Sequence, residues 1–497
     1  MQSSKQATFY IKTKRSFTPV RTYAWILTVL IGIGGQFVPF LGLLVPFIMV
    51  ALMGTSLFKG KYWCGNFCPH GSFFDNLIGP VSRHTKIPAF LRSKPVIAAV
   101  LVFFMFNLGR RFIDVYATLG TGEFLERLGL VFATTYLMVL LIGGLLGLVI
   151  NERTWCHFCP MGTIQILFYK LGKAIGLAKN TDEKVTVNHP ELCHSCGKCA
   201  RVCPMQLSPY LQFSESSQRF DDEKCIRCNT CAHNCPAGIL QMAKPQEAEE
   251  IKERVSLEGF DQAHYYRARI KEITSLKDDV RQFSFKLLEP ARMPYNPGQF
   301  VLVEVQPEIK MYRAYTISGS NQDNSEIRVT IKKLAGGYGT NFIFDNFREG
   351  DTLNLKGPLG NELRVDPSSS ELLFIANGIG ITPFVAIAQS FFERGEYSFN
   401  GKATLLYGAR YEEDLVNDDY FEKVAEESND FTYYKILSRP RTGQYAKGYV
   451  TDILKDLHPS PETRVYICGT ADMANGVTEI LTARGIPAEN IYYENFI

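Results

Sequence analysis

The sequence predicts a multidomain chain in four parts: a bundle of apolar helices, a small cysteine-rich α+β module, an antiparallel β-barrel and a parallel α/β domain. Three observations carry this reading. Long uncharged runs are confined to roughly the first 150 residues. Twelve of the 13 cysteines fall in four short groups between Cys64 and Cys235, and only Cys468 stands apart. From about Tyr265 the hydrophobic residues first alternate in short strands and then gather into apolar runs separated by helical segments. A chain of 497 residues is also too long to fold around one core. Its net charge of +3, with Lys and Arg spread evenly, excludes nucleic acid as a partner class.

The apolar part comes first. Tyr23 to Phe58 carries no charged residue, and a spanning helix needs about 20 apolar residues. The run fits two helices with a tight turn near Gly34–Gly35–Gln36 or Pro39. Leu128–Ile150 is a further span, and Pro95–Gly109 is a shorter one that also fits a buried core helix. No signal-peptide cleavage pattern precedes them. Lys5, Lys12, Lys14, Arg15 and Arg21 lie before the first run, and Lys59, Lys61, Arg83, Lys86, Arg92 and Lys94 lie between the second and third. By the bias of basic residues toward the cytoplasmic side, four spans with both termini inside are expected. That makes the chain a multi-pass protein of the cytoplasmic (inner) membrane, with the lipid bilayer as a partner and the soluble domains in the cytoplasm.

Two similar stretches then fall on that same side. One is Trp63-Cys64-Gly-Asn-Phe-Cys68-Pro69-His70-Gly71, and the other is Trp155-Cys156-His157-Phe-Cys159-Pro160-Met-Gly162. Each follows an apolar run, so this half reads as an internal repeat. Together Cys64, Cys68, Cys156 and Cys159 offer four thiolates, the number a [4Fe–4S] cluster requires. Two pairs of buried structural cysteines are the alternative. His70 and His157, beside these ligands, are read as structural.

Cys193, Cys196, Cys199 and Cys203-Pro204 are followed at the same spacing by Cys225, Cys228, Cys231 and Cys235-Pro236. Residues this close are ill placed for disulfides and well placed to chelate. Two runs of C-x2-C-x2-C-x3-C-P form the bacterial two-cluster ferredoxin pattern, in which the fourth cysteine of each run serves the other cluster. One cluster is then expected on Cys193, Cys196, Cys199 and Cys235, and the other on Cys225, Cys228, Cys231 and Cys203. Zinc would take four ligands in two pairs instead. The charged stretch Pro245–Phe260 reads as a solvated linker helix.

In the last part, Tyr265–Ile273, Val280–Leu287, Phe300–Val305 and Ile327–Lys332 are expected strands of a small barrel. Arg313-Ala-Tyr315-Thr316 is expected at the end of a barrel strand. An Arg there can hold a flavin phosphate, and the aromatic ring can cover an isoalloxazine. Gly336-Gly337-Tyr-Gly-Thr340 opens a helix whose N–H groups can cradle a pyrophosphate. Glu371–Ala376, Ala403–Tyr407, Thr432–Ile436 and Arg464–Cys468 are expected parallel strands. Gly378-Ile-Gly380-Ile-Thr382-Pro383, after the first of them, is a dinucleotide-type turn.

Two resemblances follow. Residues 20–240 resemble the membrane-anchored, polyferredoxin-type iron–sulfur proteins that accompany periplasmic nitrate reductase, nitrous oxide reductase maturation and cytochrome oxidase assembly. Those pair membrane helices and Cys-Pro motifs with a ferredoxin-like module, and the second motif here departs from theirs in having two intervening residues rather than three. Residues 262–497 resemble the ferredoxin–NADP reductase superfamily. The match extends to Gly357-Pro-Leu-Gly360, Leu406-Tyr-Gly-Ala-Arg410, Tyr466-Ile-Cys468-Gly469 and the terminal Tyr493-Glu494-Asn-Phe496. The resemblance implies that Cys468, Glu494 and Phe496 line a hydride-transfer site, with Cys468 positioning the nicotinamide rather than acting as a nucleophile. Ser438-Arg439 sits where NADP-using relatives hold the 2′-phosphate.

The expected division is 1–180 for membrane helices, 181–245 for the ferredoxin module, 246–261 for a linker, 262–366 for the FAD-binding barrel and 367–497 for the NAD(P)-binding domain. The expected cofactors are FAD, two [4Fe–4S] clusters with a third at the membrane, and NAD(P)H. The expected activity is NAD(P)H-dependent electron transfer to a membrane acceptor, whether a quinone, a partner enzyme or a metal ion. A redox-sensing or metalloprotein-assembly role and reverse electron flow to NAD(P)+ stand as alternatives.

Overall fold

A computed structural model describes residues 18–214, 216–260, 263–396 and 399–495. They form two compact units: residues up to Cys193 with Gly197–Val255, and His194–Cys196 with the chain from Ser256 onward.

The first unit begins with short helical pieces. Pro19–Tyr23 leads into α1 (Trp25–Gly32), which passes through 3₁₀ turns at Gly34–Gln36 and Pro39–Leu43 into α2 (Leu44–Lys59). Then come α3 (Lys94–Tyr116), α4 (Phe124–Val149) and α5 (Pro160–Ala174). Among the described residues, Pro39–Lys59, Lys94–Tyr116 and Phe124–Val149 are long and apolar enough to cross a bilayer, with mean hydropathies of 2.2, 1.8 and 2.1. That is three continuous spans by length and composition where four were expected. The first stretch is broken into pieces too short to count, and the paired glycines Gly34–Gly35 accept the tighter turn that ends it. The third expected run is longer than read, because it continues through Arg110 and Arg111 to Tyr116. Their long stems can lie along apolar surface while the charge stays at its edge.

Small residues let α4 act as the central post. A Cβ on Gly129 would lie 2.1 Å from the Pro39 carbonyl oxygen, and one on Gly143 would lie 2.5 Å from the Phe74 ring. Backbone and aromatic neighbours therefore close in directly on the helix. The cysteine-rich module follows. Strands β1 (Lys184–Val187) and β2 (Leu240–Ala243) pair antiparallel, and Val185, Val187, Tyr210, Phe220 and Leu240 pack with the cysteines between them. Helix α6 (Pro245–Glu253) is the charged helix expected after it.

The second unit opens with a closed six-stranded antiparallel barrel. Its strands are β3 (His264–Lys277), β4 (Val280–Glu289), β5 (Phe300–Gln306), β6 (Met311–Ser320), β7 (Glu326–Lys332) and β8 (Thr352–Leu359), in the order β3-β4-β7-β6-β5-β8. Arg313, Tyr315 and Thr316 lie inside β6 rather than at a strand end, because β6 runs on through Ile317 to Ser320 to pair with β7. Helix α7 (Tyr338–Asn346) joins β7 to β8.

Next is a wholly parallel sheet of β9 (Glu371–Asn377), β10 (Lys402–Ala409), β11 (Phe431–Leu437), β12 (Arg464–Gly469) and β13 (Ile491–Asn495), in the order β11-β10-β9-β12-β13. The chain winds one way from β9 to β11 and then crosses back to β12, so the order reverses between β9 and β12. In such sheets ligands bind at the carboxyl ends of the strands where the order reverses. Helix α8 (Thr382–Ala388), buried along its whole length, follows β9 and packs against β6, which brings the barrel wall beside that crevice.

Candidate active site and metal centres

The sheet crevice is built by close approach. Gly378 follows β9 at φ +53°, in the left-handed region, with nothing within 4 Å of where a Cβ would stand. Gly380 has the opposite surroundings: a Cβ there would meet the Cys468 carbonyl oxygen at 2.3 Å. The turn after β9 can press against the end of β12 only without a side chain at 380. Asn377, which sequence reasoning did not single out, fastens the same two ends. Its Oδ1 accepts from Thr470 N at 3.0 Å and its Nδ2 donates to Thr470 Oγ1 at 3.0 Å. Pro383 occupies the first turn of α8, and Thr382 Oγ1 donates to the Ile379 carbonyl.

Cys468 and Glu494 are register partners on β12 and β13, so two residues singled out for hydride transfer lie side by side in the structure. Gly469 follows at the strand end. Cys468 is fully buried, and burial together with the Glu494 charge pushes its thiol up. A thiol held neutral is a poor nucleophile and suits a positioning role. Burial, then the Glu362 charge, pushes the Glu494 carboxyl up to about 8, with Thr316 opposing. Phe496 lies outside the described residues.

On the barrel side, Tyr315 Oη is buried with no hydrogen-bond partner among the described residues, and Thr316 Oγ1 and the Glu494 carboxyl are buried close enough to interact with one another. Buried polar atoms are rarely left unpaired. The buried Tyr315 phenol and the Thr316–Glu494 pair are polar groups of the kind that would border a flavin ring. The Gly336–Thr340 turn lies close to Arg313: a Cβ on Gly339 would stand 2.8 Å from Arg313 Nε. Gly336 has φ +71° with open space around it, and Thr340 Oγ1 accepts from Leu334 N. Arg313 Nη1 donates to the carbonyls of Tyr312 and Cys196 at 2.8 and 2.6 Å, which fixes the guanidinium beside the first turn of α7. A pyrophosphate placed there would face backbone N–H groups and one cation. The residues present therefore fit FAD.

At the far edge of the sheet, Arg410 and Ser438 come one residue after the ends of β10 and β11, and Arg439 N donates to the Arg410 carbonyl at 2.8 Å. Both arginines are exposed, and among the described residues neither guanidinium has an anionic or hydrogen-bonding partner.

Eleven of the 13 cysteines lie in the first unit and Cys196 and Cys468 in the second, and none is disulfide-bonded. In the ferredoxin-like runs, Ser195 and Gly197 have φ of 48° and 68°, and their counterparts Arg227 and Asn229 have 52° and 60°. The same left-handed steps recur at the same offsets. Such turns point successive N–H groups inward, as iron–sulfur sites need. Burial, then the neighbouring Cys228, Cys225, Cys203 and Cys199, pushes the Cys231 thiol well up. Burial, Cys228 and Cys225 also push Cys203 up, to about 12. The fourth cysteine of the first run thus sits with the second run, as the exchanged pattern expects. Crowded thiols of this kind fit a metal cluster, which would hold them deprotonated.

Cys64, Cys68, Cys156 and Cys159 line a single cavity with Trp63, Trp155 and His70. They are close enough to act on one another electrostatically: Cys68 feels Cys64 and Cys156, and Cys159 feels Cys156 and Cys64. The shorter second motif does not prevent convergence. Gln165 Nε2 donates to Cys64 Sγ at 3.1 Å and Gly71 N to Cys68 Sγ at 3.4 Å. His70 Nε2 lies 3.3 Å from the Tyr136 carbonyl oxygen. His157 is buried outside the cavity lining.

Known proteins carry the same parts. Residues 267–362 match the oxidoreductase FAD-binding domain and residues 374–479 the oxidoreductase NAD-binding domain. A 4Fe-4S binding domain matches residues 41–88 and 133–178, and a 4Fe-4S dicluster domain matches residues 185–236. The toluate 1,2-dioxygenase electron transfer component of Pseudomonas putida is 32% identical over 234 residues, covering 46% of this chain and 67% of that protein. The naphthalene 1,2-dioxygenase system ferredoxin–NAD(P)(+) reductase component of Pseudomonas putida is 25% identical over 63% of this chain and 90% of its own length. A crystal structure of an Amycolatopsis cytochrome P450 reductase covers 47% of this chain and 70% of its own, at 24% identity and a TM-score of 0.43.

Barrel, switch-point sheet and cysteine modules together define an NAD(P)H-dependent flavin and iron–sulfur oxidoreductase. The chain belongs to the ferredoxin–NAD(P) reductase-like oxidoreductases.

Glu494 gives this site a pH signature. In the role the family resemblance implies for Glu494, its carboxylate would favour the positive nicotinamide ring left when hydride departs. Flavin reduction by NAD(P)H in stopped flow should therefore speed up as pH rises through about 8, and Glu494→Gln should flatten that rise. The pKa is raised above the ordinary 4.5, so this group's contribution to folding stability is greatest below that value and falls as pH climbs through about 8.

Proposed function

We propose that this chain carries electrons from NAD(P)H through FAD, the two ferredoxin clusters and a third [4Fe–4S] cluster on Cys64, Cys68, Cys156 and Cys159 to an acceptor in the cytoplasmic membrane, a quinone or a membrane partner enzyme. The division is the one read from the sequence, with membrane helices to about residue 180, the ferredoxin module to 245, a linker to 261, the flavin barrel to 366 and the nucleotide domain beyond. The apolar helices supply the anchor, and the soluble modules stand in the cytoplasm.

One observation carries the reading. The loop bearing Cys64 and Cys68 packs directly on the loop bearing Cys225 and Cys228. A Cβ on Gly65 would lie 1.9 Å from the Ile226 carbonyl oxygen, and Asn66 Nδ2 donates to the Arg227 carbonyl at 3.3 Å. Tyr169 and Arg227 both bond Asp182, which locks α5, the helix that follows the second Cys-Pro motif, to that same loop. Two ligand sets in contact at their loops suit one-electron transfer between clusters.

Bound FAD supplies the step between a two-electron hydride and one-electron carriers. The chain's own residues do the rest. The Gly378–Thr382 turn and Cys468 seat the nicotinamide, Tyr315 and Thr316 border the flavin ring, and Glu494 holds or releases a proton at the reacting edge. Anaerobically purified protein should hold about twelve iron atoms and one FAD per chain, and its membranes should oxidise NAD(P)H steadily. Iron near eight would remove the third cluster, and zinc in place of iron would end the proposal.

NADPH is the preferred nucleotide in this reading, because Arg410 and Arg439 stand as adjacent unpaired cations at the strand ends. Arg439→Glu should raise the KM for NADPH roughly tenfold or more, with that for NADH nearly unchanged. Equal effects on both nucleotides would take the 2′-phosphate away from Arg439.

A further inference from the structure

Around the four-cysteine cavity lies a set of buried charges that neither the family resemblance nor the spacing of the motifs anticipates. Asp75 is held by two guanidiniums. Arg21 Nη2 reaches its Oδ2 at 2.6 Å, and Arg153 contacts Oδ2 at 2.5 Å and Oδ1 at 2.8 Å. The three side chains are each 1% exposed. Both arginines then turn to the cysteine motifs. Arg21 Nη1 donates to the Cys68 carbonyl at 2.9 Å, and Arg153 Nη1 lies 3.5 Å from Cys156 Sγ. Gly71, in the first motif, is crowded by them: a Cβ there would stand 2.8 Å from Arg21 Nη1 and 3.0 Å from Arg153 Nη1. At the matching glycine of the second motif, Gly162, the facing group is Lys61 Nζ at 3.3 Å, and Lys61 is also buried. Its ammonium lies 3.5 Å from the Cys156 carbonyl oxygen.

The sum of these charges is unbalanced. Arg21, Arg153 and Lys61 against Asp75 leave two net positive charges among buried side chains, while the buried Glu152, next to Arg153 in sequence, is engaged by His84 at 3.1 Å. An uncompensated buried charge costs several kcal/mol, so something beside these groups must be negative by about the same amount. Four thiolates around a [4Fe–4S] core in its oxidised state carry two net negative charges. Hydrogen-bond donors are also in excess. Trp63 Nε1 and Trp155 Nε1, from matching positions of the two motifs, are buried without an acceptor among the described residues, and both tryptophans line the cavity. Cluster sulfurs are acceptors of the right kind.

We propose that Arg153, Arg21 and Lys61, held in place by Asp75, are positioning residues that neutralise the third cluster and set its reduction potential. The inference rests on the reading that Cys64, Cys68, Cys156 and Cys159 hold a [4Fe–4S] cluster. Reduction adds one electron to the core and no proton, taking the site from two negative charges to three. In the chain that electron comes from the neighbouring ferredoxin clusters, and in a titration it comes from dithionite. Buried cations favour the added negative charge, and a buried carboxylate opposes it.

Opposite signs for opposite charges are the signature that a merely structural role would not give. The test is an anaerobic redox titration of the full chain followed by electron paramagnetic resonance, reading the signal that Cys156→Ser removes. Arg153→Gln should shift the oxidised-to-reduced ratio at a fixed potential at least tenfold toward oxidised, about 59 mV for one electron. Asp75→Asn should shift it toward reduced. Arg153→Lys, which keeps the charge, should restore most of the parent value. Lys61→Met, farther from the arginine–aspartate cluster, should move in the same direction as Arg153→Gln and serves if Asp75→Asn fails to assemble. Iron content equal to the parent's checks that each variant has kept its clusters. Shifts of the same sign for Arg153→Gln and Asp75→Asn, or no shift in Arg153→Gln and Lys61→Met, would overturn the inference. A parent protein with no signal that Cys156→Ser removes would instead overturn the four-cysteine reading beneath it.

Discussion

Cys156→Ser should abolish reduction of a bilayer quinone by NAD(P)H while NAD(P)H–ferricyanide activity stays near the parent level. Ferricyanide is small and collects electrons from a flavin or an exposed cluster. A quinone confined to lipid has no direct path to a flavin held in a domain outside the bilayer. The four thiols face one cavity, close to the ends of α2 and α4, and in the proposed function that is the point where a lipid-borne acceptor would be served. Cys64→Ser should behave the same way, since its sulfur is held on the other side of that cavity by Gln165. The measurement is paired assays in membranes and in detergent. Parent-level quinone reduction in both variants would reduce the N-terminal helices to an anchor.

Gly380→Val should lower kcat/KM for NAD(P)H by about a hundredfold or more, the scale of loss when a reacting group is displaced by about 1 Å. FAD content and reduction of the flavin by dithionite should be unchanged. The cause is steric. The Cys468 carbonyl oxygen stands 2.3 Å from the first side-chain carbon, with the Cys468 carbonyl carbon at 2.7 Å and Gly469 Cα at 3.1 Å, and backbone atoms cannot swing aside as a side chain can. The turn must lift away from β12, and with it the seat proposed for the nicotinamide. Gly378→Ala, where the space is open and the constraint is the left-handed backbone alone, should cost far less. Similar losses at the two positions would show that the crevice does not depend on that close approach.

Much of this was legible in the sequence because the relevant signals are local. The spacing of eight cysteines is fixed by the size of a cluster, so Cys193 to Cys235 could be read directly. Strands β9 to β12 announced themselves as short apolar runs, and the Gly378–Gly380 turn fell at the end of the first. What escaped was set by distant parts of the chain. Strand β8 and the full length of β6 are defined by barrel closure, which no local period encodes. The partnership of Cys468 and Glu494 needed the register of two strands separated by a helix. Family resemblance, not pattern, had put both at one site. Arg21, Asp75 and Arg153 come from three separate segments. The one clue to them was an acidic residue standing alone in Phe73-Phe74-Asp75-Asn76-Leu77, within a stretch that otherwise reads as buried. The first apolar run misled by composition: its residues suit a span, yet its backbone is broken at Ala24 and Ile33.

The contact of Gly65 with Ile226 has a consequence for kinetics. Separate reductases and ferredoxins must meet by diffusion, so their rate depends on how much of each is present and on the viscosity and salt between them. Here the two cysteine loops belong to one chain and touch through their backbones, which replaces a concentration by a fixed geometry. Dilution, added glycerol and competing free ferredoxin should leave the handover between these two ligand sets unaltered. With clusters seated as proposed, the capacity of that handover should rise only with the number of copies of this chain.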